Sequence, residues 1–400
     1  MYRPSFIKNV FYRSLGIFFN LSLSGILKRF LNVRFVLLSP KGRLSQFNSY
    51  VEGELRLNNF KSLADRSKAP KVFFINPYEI PNNSLLKAYA AHAKFITLDL
   101  HSTTGFKKLL RKMFYKVMLA LSRDDGFVRL GHAHSGIQYN FVWSACPPIL
   151  DARAIQYSVN SPEYKSLVSK VDLHKPYCLL AFRDSAYYKA HVNESRNPQS
   201  SDSFSFRNPR FEDYIPFVDW LISQGIQVIR VGLKIDPLDF CRDGFYDLSG
   251  VGYSSDLDVF LASQCKFMII GACGYFYQGA IFNKPTLVTH SYSVYFNGSD
   301  FSVLLPSKYQ RNGVDLTLSE TYILGINEPP PKGISLKHPS PAEILAEGVK
   351  FVRMLDDPSE IRRCKEKLQR SLLGLDLGID RLAKDRLSEE WLISNFRLYD

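Results

Sequence analysis

Arg183, with Asp184 beside it, follows the apolar run PYCLLAF (176–182). Arg230 lies near the end of a second apolar run, IQVIRV (226–231), with Gly232 directly after it. A third run, 266–270, ends in Gly271-Ala272-Cys273-Gly274. Arginines at such ends offer forked donors to phosphate oxygens. A glycine turn between strand and helix offers backbone N–H groups and the positive end of a helix dipole. Two glycines there also remove side chains that would keep an anion away. Three tips of this kind outline a pyrophosphate site. The same glycines also let a chain turn and a helix pack, and the same arginines can pair with local acids. A lone G-x-x-G leaves both readings open.

Elements must place these tips together. Residues 254–290 read as helix, strand, glycine turn, helix, strand. Asp256 and Asp258 open the first helix, the second runs from Tyr275 to Phe282, and Pro285 stops it before a strand at Thr286–Thr289. A helix is expected over 211–225, with glycine at its end. Phe245–Leu248 reads as a further strand, and 191–208 as a polar loop. In open α/β sheets a ligand sits outside the carboxyl ends of the strands, where all three tips would lie. After His290 the chain reads as loop-rich. Two closing helices are expected over about 341–373 and 379–396.

The first half alternates in the same way. Strands are expected at Arg34–Ser39, Lys71–Ile75 and Phe95–Leu100, with helices at Ser45–Leu57 and from Asn83 or Ser84 to about Ala93. Such alternation argues for a parallel sheet with crossover helices. Asp99, His132 and His134 are the candidates there for a general base that takes a proton from an acceptor hydroxyl. The two histidines, in Gly131-His132-Ala133-His134, can equally line a cleft or do nothing.

Four hundred residues fit two domains. The formal net charge of +13 calls for an anionic partner or surface. Its Lys and Arg follow no recognisable nucleic-acid module, so nucleic acid is set aside. The six cysteines show no C-x-x-C spacing and mostly lie in apolar runs, as reduced thiols of a cytoplasmic protein do. Ser14–Leu27, uncharged for 14 residues, falls short of a membrane span, which needs about 20. Residues 1–30 instead mix Arg3, Lys8, Arg13, Lys28 and Arg29 with Phe and Leu, as a helix lying in an anionic bilayer surface does. A helix packed on the domain satisfies the same pattern. Phe106–Leu121 is a second basic amphipathic helix with five cations and no acid. Its charges read either as a contact for lipid headgroups or a lipid-linked acceptor, or as a solvated face.

Four strings, in order, carry a resemblance. They are F-R-D-S-x-Y-Y (182–188), R-N-P-x-F-E-D-Y (207–214), V-I-R-V-G (228–232) and D-L-D-V-F-L-A-S-Q-C-K-F-x-I-x-G-x-x-G (256–274). Over roughly 175–295 the chain resembles a family of bacterial glycosyltransferases from surface-polysaccharide gene clusters. More distantly, the Arg183 strand end and the block after Asp258 resemble fucosyltransferases with an H-x-R motif and a GT-B-like fold. Ala181 stands where their histidine would be, and Ala272 and Cys273 replace the serines common in the glycine turn of relatives.

The resemblance implies an α/β, GT-B-like architecture of two Rossmann-like domains with parallel sheets facing a cleft. The expected division is a basic membrane-surface segment (1–30), an acceptor-side domain (31–172), a nucleotide-sugar domain (173–335) and helices packing back toward the first domain (336–400). The implied enzyme needs neither metal nor cofactor. It moves a sugar from a nucleotide-diphosphate donor to a lipid-linked oligosaccharide such as O-antigen or capsule, peripherally on the cytoplasmic face of the plasma membrane. The implied donor-binding residues are Arg183, which would help the nucleotide leave, with Asp184, Arg207, Arg230, Gly232, Asp258, Gly271, Ala272, Cys273 and Gly274. The alternative expectation is a non-catalytic nucleotide-sugar-binding or scaffold subunit of a polysaccharide-assembly complex.

Overall fold

The computed structural model describes residues 33–37, 51–56, 71–76, 83–97, 105–113, 127–129, 148–184, 208–232, 236–250, 254–291, 302–317, 320 and 330–357, with 54, 108, 156 and 272 excepted. The chain divides into two compact units, Met1–Leu150 and Asp151–Asp400.

The first unit carries β1 (Val33–Leu37), β2 (Lys71–Asn76), α1 (Asn83–Tyr89), β3 (Lys94–Thr97) and β4 (Phe127–Arg129). Among the described residues its four strands are all parallel, in the order β3-β2-β1-β4. The winding therefore reverses once, between β1 and β4. Val72, Phe74 and Leu85 are buried, and Phe74 stacks on Phe95 with centroids 5.2 Å apart. A buried carboxylate clasps three segments. Glu52 accepts from Arg56 Nε at 2.8 Å, from the Tyr89 hydroxyl at 2.7 Å and from the Ile149 N–H at 2.8 Å. Burial and this carboxylate raise the Tyr89 phenol well above its ordinary range, so it stays a donor.

The second unit opens with α2 (Pro162–Val168), capped by the Ser161 hydroxyl. Six parallel strands follow. β5 (Tyr177–Ala181) precedes a 3-10 turn at Phe211–Tyr214 and α3 (Ile215–Ser223). Next come β6 (Gln227–Arg230), β7 (Phe245–Asp247), α4 (Ser255–Gln264), β8 (Phe267–Gly271), α5 (Phe276–Ile281), β9 (Thr286–Ser291) and β10 (Ser302–Pro306). Their order is β10-β9-β8-β5-β6-β7, every pair parallel. β5, β6, β8 and β9 are buried along their whole length, which is why they read as continuous apolar runs.

β11 (Lys308–Arg311), β12 (Val314–Asp315) and β13 (Ile334–Lys337) form a small antiparallel sheet, followed by α6 (Pro341–Asp356). Ser340 and Glu343 make a capping box at the start of α6. The helix lies so close to α3 that a Cβ on Gly348 would meet the Phe217 ring at 2.4 Å. Phe351 packs edge-on against Phe267 of β8.

Both units thus have the α/β character expected. By contact the second unit begins at Asp151 and includes α6. Two details of the elements differ. The stretch after His290, expected to be loop-rich, holds β10 to β13. The helix expected over 211–225 begins as a 3-10 turn, because Pro216 leaves no N–H at that point to continue an α-helix ladder. Residues 1–30 and 358–400 lie outside the described residues.

Candidate active site

β5 starts the second sheet at its middle. β6 and β7 wind to one side of it, and β8, β9 and β10 to the other. This is the doubly wound order, and its switch point lies between β5 and β8, the place where open α/β sheets hold ligands outside the carboxyl ends. Phe182-Arg183-Asp184 follow β5 there, and the Gly271–Gly274 turn follows β8. The structure brings these two tips together. Ala181 pairs with Ile270, and the Cys273 thiol lies 3.8 Å from the Ala181 carbonyl. Arg183, one residue beyond Phe182, is half-buried.

Gly271 is closed to a ligand on its side-chain face. A Cβ there would stand 2.8 Å from Phe182 Cβ, 3.0 Å from Pro209 Cγ and 3.1 Å from the Tyr214 hydroxyl. The glycine serves close packing of the R-N-P-x-F-E-D-Y segment over the strand end rather than the approach of an anion. The start of α5 is also occupied. The N–H groups of Phe276, Tyr277 and Gln278 donate to the carbonyls of Cys273, Gly274 and Tyr275 at 3.3, 3.4 and 2.8 Å. These are donors that a phosphate-binding helix start keeps open. Of the turn, Cys273 and Gly274 remain half-exposed.

Arg230, expected as a second phosphate ligand, is a buried structural cation, 2% exposed. Its Nη1 donates to Asp247 Oδ2 at 3.0 Å and to the Asp236 carbonyl at 2.8 Å, and its Nη2 donates to Asp184 Oδ2 at 3.3 Å. The guanidinium also lies over the Phe182 ring, 5.1 Å from its centroid. Asp184 is spent in the same cluster, since it accepts the Asp236 N–H at 2.7 Å as well. Asp247 takes the Leu238 N–H at 3.1 Å and the Ser249 N–H at 3.0 Å. Three charges and their hydrogen bonds thus fasten residues 236–240 over β5, β6 and β7.

A second polar group at these carboxyl ends was not singled out in the sequence. Phe182 stacks on Tyr214, centroids 5.4 Å apart and planes within 8°. The Tyr214 hydroxyl lies 2.6 Å from Thr289 Oγ1 and 3.2 Å from His290 Nδ1, and those two are 3.1 Å from each other. His290 is fully buried and holds a left-handed backbone, φ 55°. For a residue other than glycine this is a strained conformation, of the kind that gathers at functional sites. Burial first, and then the neighbouring His338, push its pKa down to about 3, so the ring is neutral. If Nδ1 accepts, both hydroxyl protons find places: one on Nδ1, the other between the two oxygens. If Nδ1 carries the proton, one hydroxyl proton of the trio has no acceptor within it. The first arrangement puts a proton on Nε2, which is buried and has no hydrogen-bond partner among the described residues.

Arg230, Phe182, Tyr214 and His290 therefore stack in sequence as one layer at the carboxyl ends of the sheet. His338 faces His290 at 5.1 Å between ring centroids, and its Nδ1 lies 2.8 Å from Ser307 Oγ.

Asp258 is buried in the first turn of α4, where its carbonyl accepts from the Tyr275 hydroxyl at 3.4 Å. That bond ties α4 to the glycine turn. Gly232 is half-buried just past β6. Asp99, His132, His134, Arg207 and Ala272 lie outside the described residues. Among the described residues no three His, Cys, Asp or Glu side chains cluster as metal ligands would.

No protein-family model matches the sequence, and no curated protein matches it. Among solved structures the chain is similar to a glycosyl transferase family 9 protein from Veillonella parvula DSM 2008. The identity is 11%, over 81% of this chain and 97% of that one, with a TM-score of 0.49. It is similar to the E. coli ADP-heptose lps heptosyltransferase II at 13% identity, over 82% and 100%, with a TM-score of 0.45. It is similar to E. coli heptosyltransferase WaaC at 9% identity, over 80% and 99%, with a TM-score of 0.40.

Proposed function

We propose that the protein is a glycosyltransferase that binds a nucleotide-diphosphate sugar at the carboxyl end of the second sheet and passes the sugar to a lipid-linked glycan. The observation that carries this reading is the switch point between β5 and β8, with Arg183 on one lip and the Cys273–Gly274 turn on the other. The doubly wound order provides the crevice, and Arg183 provides a fork for the diphosphate. In transfer, the bond from the anomeric carbon to the diphosphate oxygen breaks and a bond from the acceptor oxygen to that carbon forms. The leaving diphosphate gains negative charge, which a positioned guanidinium stabilises. The proton of the acceptor hydroxyl passes to a base, for which His132, His134 and Asp99 are the candidates. No protein metal or cofactor enters this scheme.

A panel of UDP-, GDP-, CMP-, dTDP- and ADP-sugars tests the proposal. One donor should raise the melting temperature and slowly release its free nucleotide. Arg183→Ala should abolish both effects while leaving the fold intact. A chain that neither binds nor hydrolyses any donor would end this reading.

A second reading is a non-catalytic nucleotide-sugar-binding or scaffold subunit. It is favoured by the closed face of Gly271, the occupied start of α5 and the internal pairing of Arg230. Donor-induced stabilisation without any nucleotide release would select it.

A further inference from the structure

The helix in residues 105–113 turns its apolar stripe the wrong way for a soluble protein. Phe106, Leu109, Leu110 and Met113 stand at i, i+3, i+4 and i+7, so they share one face. In an ordinary amphipathic helix that face packs on the core. Here the four are 72%, 53%, 48% and 41% exposed. Arg111, which projects from the far side, is the least exposed residue described in this helix. The amphipathicity is inverted, with hydrocarbon facing outward.

Charge identifies what this face fits. Lys107 and Lys112 flank the stripe, both exposed, and residues 105–113 contain no acid. The whole chain carries +13. Aromatic and aliphatic side chains bordered by lysines are the pattern of a helix lying in the plane of an anionic bilayer. Its apolar side enters the acyl boundary and its cations meet phosphates. No described helix is long and apolar enough to cross a membrane, so contact in the plane is the geometry open to this one.

We infer that residues 105–113 are a membrane-docking element whose Phe106–Leu109–Leu110–Met113 stripe inserts into an anionic leaflet. The helix follows the carboxyl end of β3 in the chain, on the unit read as the acceptor side. Docking there would present that unit to a lipid-linked substrate. The docking itself does not depend on glycosyl transfer.

Flotation of the full chain with vesicles tests the inference. One set is phosphatidylcholine alone and the other an equimolar mixture with phosphatidylglycerol. The wild type should float with the anionic vesicles, less so as salt rises. Phe106→Ser, Leu109→Ser, Leu110→Ser and Met113→Ser together should weaken partitioning at least about tenfold, with melting unchanged because the side chains are exposed. Phe106→Trp supplies a local readout, its added emission shifting to the blue on anionic vesicles. Flotation of the quadruple variant equal to wild type would overturn the inference. So would a Phe106→Trp spectrum that ignores vesicles, or a wild-type dimer that the quadruple variant loses without any lipid binding, since a second copy would then be what covers the stripe.

Discussion

Two arginines end neighbouring strands of the same sheet, and they stand in different surroundings. Arg230 closes β6, one strand away from the switch point, with two carboxylates, a carbonyl and an aromatic face around it. Arg183 follows β5 at the switch point and is half-buried. Local sequence is nearly the same for both: an apolar run, then arginine, then a turn. What separates them is where the winding of the sheet reverses. On the proposed function the cation beside the reversal serves the donor, whereas the one a strand further out is built into the wall.

The sharpest way to break this contrast is to truncate both arginines. Arg230→Ala takes the guanidinium away from two mostly buried carboxylates, Asp184 and Asp247. It should lower unfolding free energy by about 3–5 kcal/mol in denaturant titration. A loss under about 1 kcal/mol would show that the cluster is solvated and the wall reading mistaken. Arg183→Ala should leave stability nearly untouched and reduce donor turnover about 10²–10³-fold. If Arg183→Ala instead unfolds the protein and Arg230→Ala only slows it, the two roles are reversed. Gly271→Ala sharpens the picture of the β8 tip. Its methyl would meet Phe182 Cβ and Pro209 at close range, so a stability loss of about 1–3 kcal/mol is expected. Unchanged melting would mean that the space is open to a ligand after all.

The effect that is smallest at neutral pH concerns His290. Its folded pKa of about 3 lies below the ordinary value of 6.5. The unfolded chain therefore takes up a proton first as pH falls. The stability that the neutral ring contributes is complete above about pH 6.5 and fades as pH drops toward 3. The slope attributable to this ring is at most about 1.4 kcal/mol per pH unit. His290→Asn, which tolerates the left-handed backbone, should flatten melting temperature against pH in that window. Parallel curves for the two proteins would refute the assignment.

Much of the second sheet was legible because buried parallel strands leave apolar runs that need no partner to recognise. The tips were legible too, since arginine and glycine directly after such runs are conspicuous. Short elements were not. β4 has three residues and β12 two, too few for any period to register. β11 and β13 are small antiparallel strands with polar residues on one side, and they read as loop. The fate of Arg230 was hidden because its partners come from 184, 236 and 247 and meet only in three dimensions. The Tyr214–His290 pair spans 76 positions and was hidden for the same reason. In residues 105–113 the periodicity was plain, but a period reveals that a helix has a face, not what that face meets.

Among the described strands the reversal between β1 and β4 gives the first unit a crossing point of its own, matching in kind the one between β5 and β8. On the proposed function each seam would hold one of the two substrates. Order-of-addition kinetics should then be random unless occupancy of one seam changes the other, and product inhibition patterns can tell these cases apart.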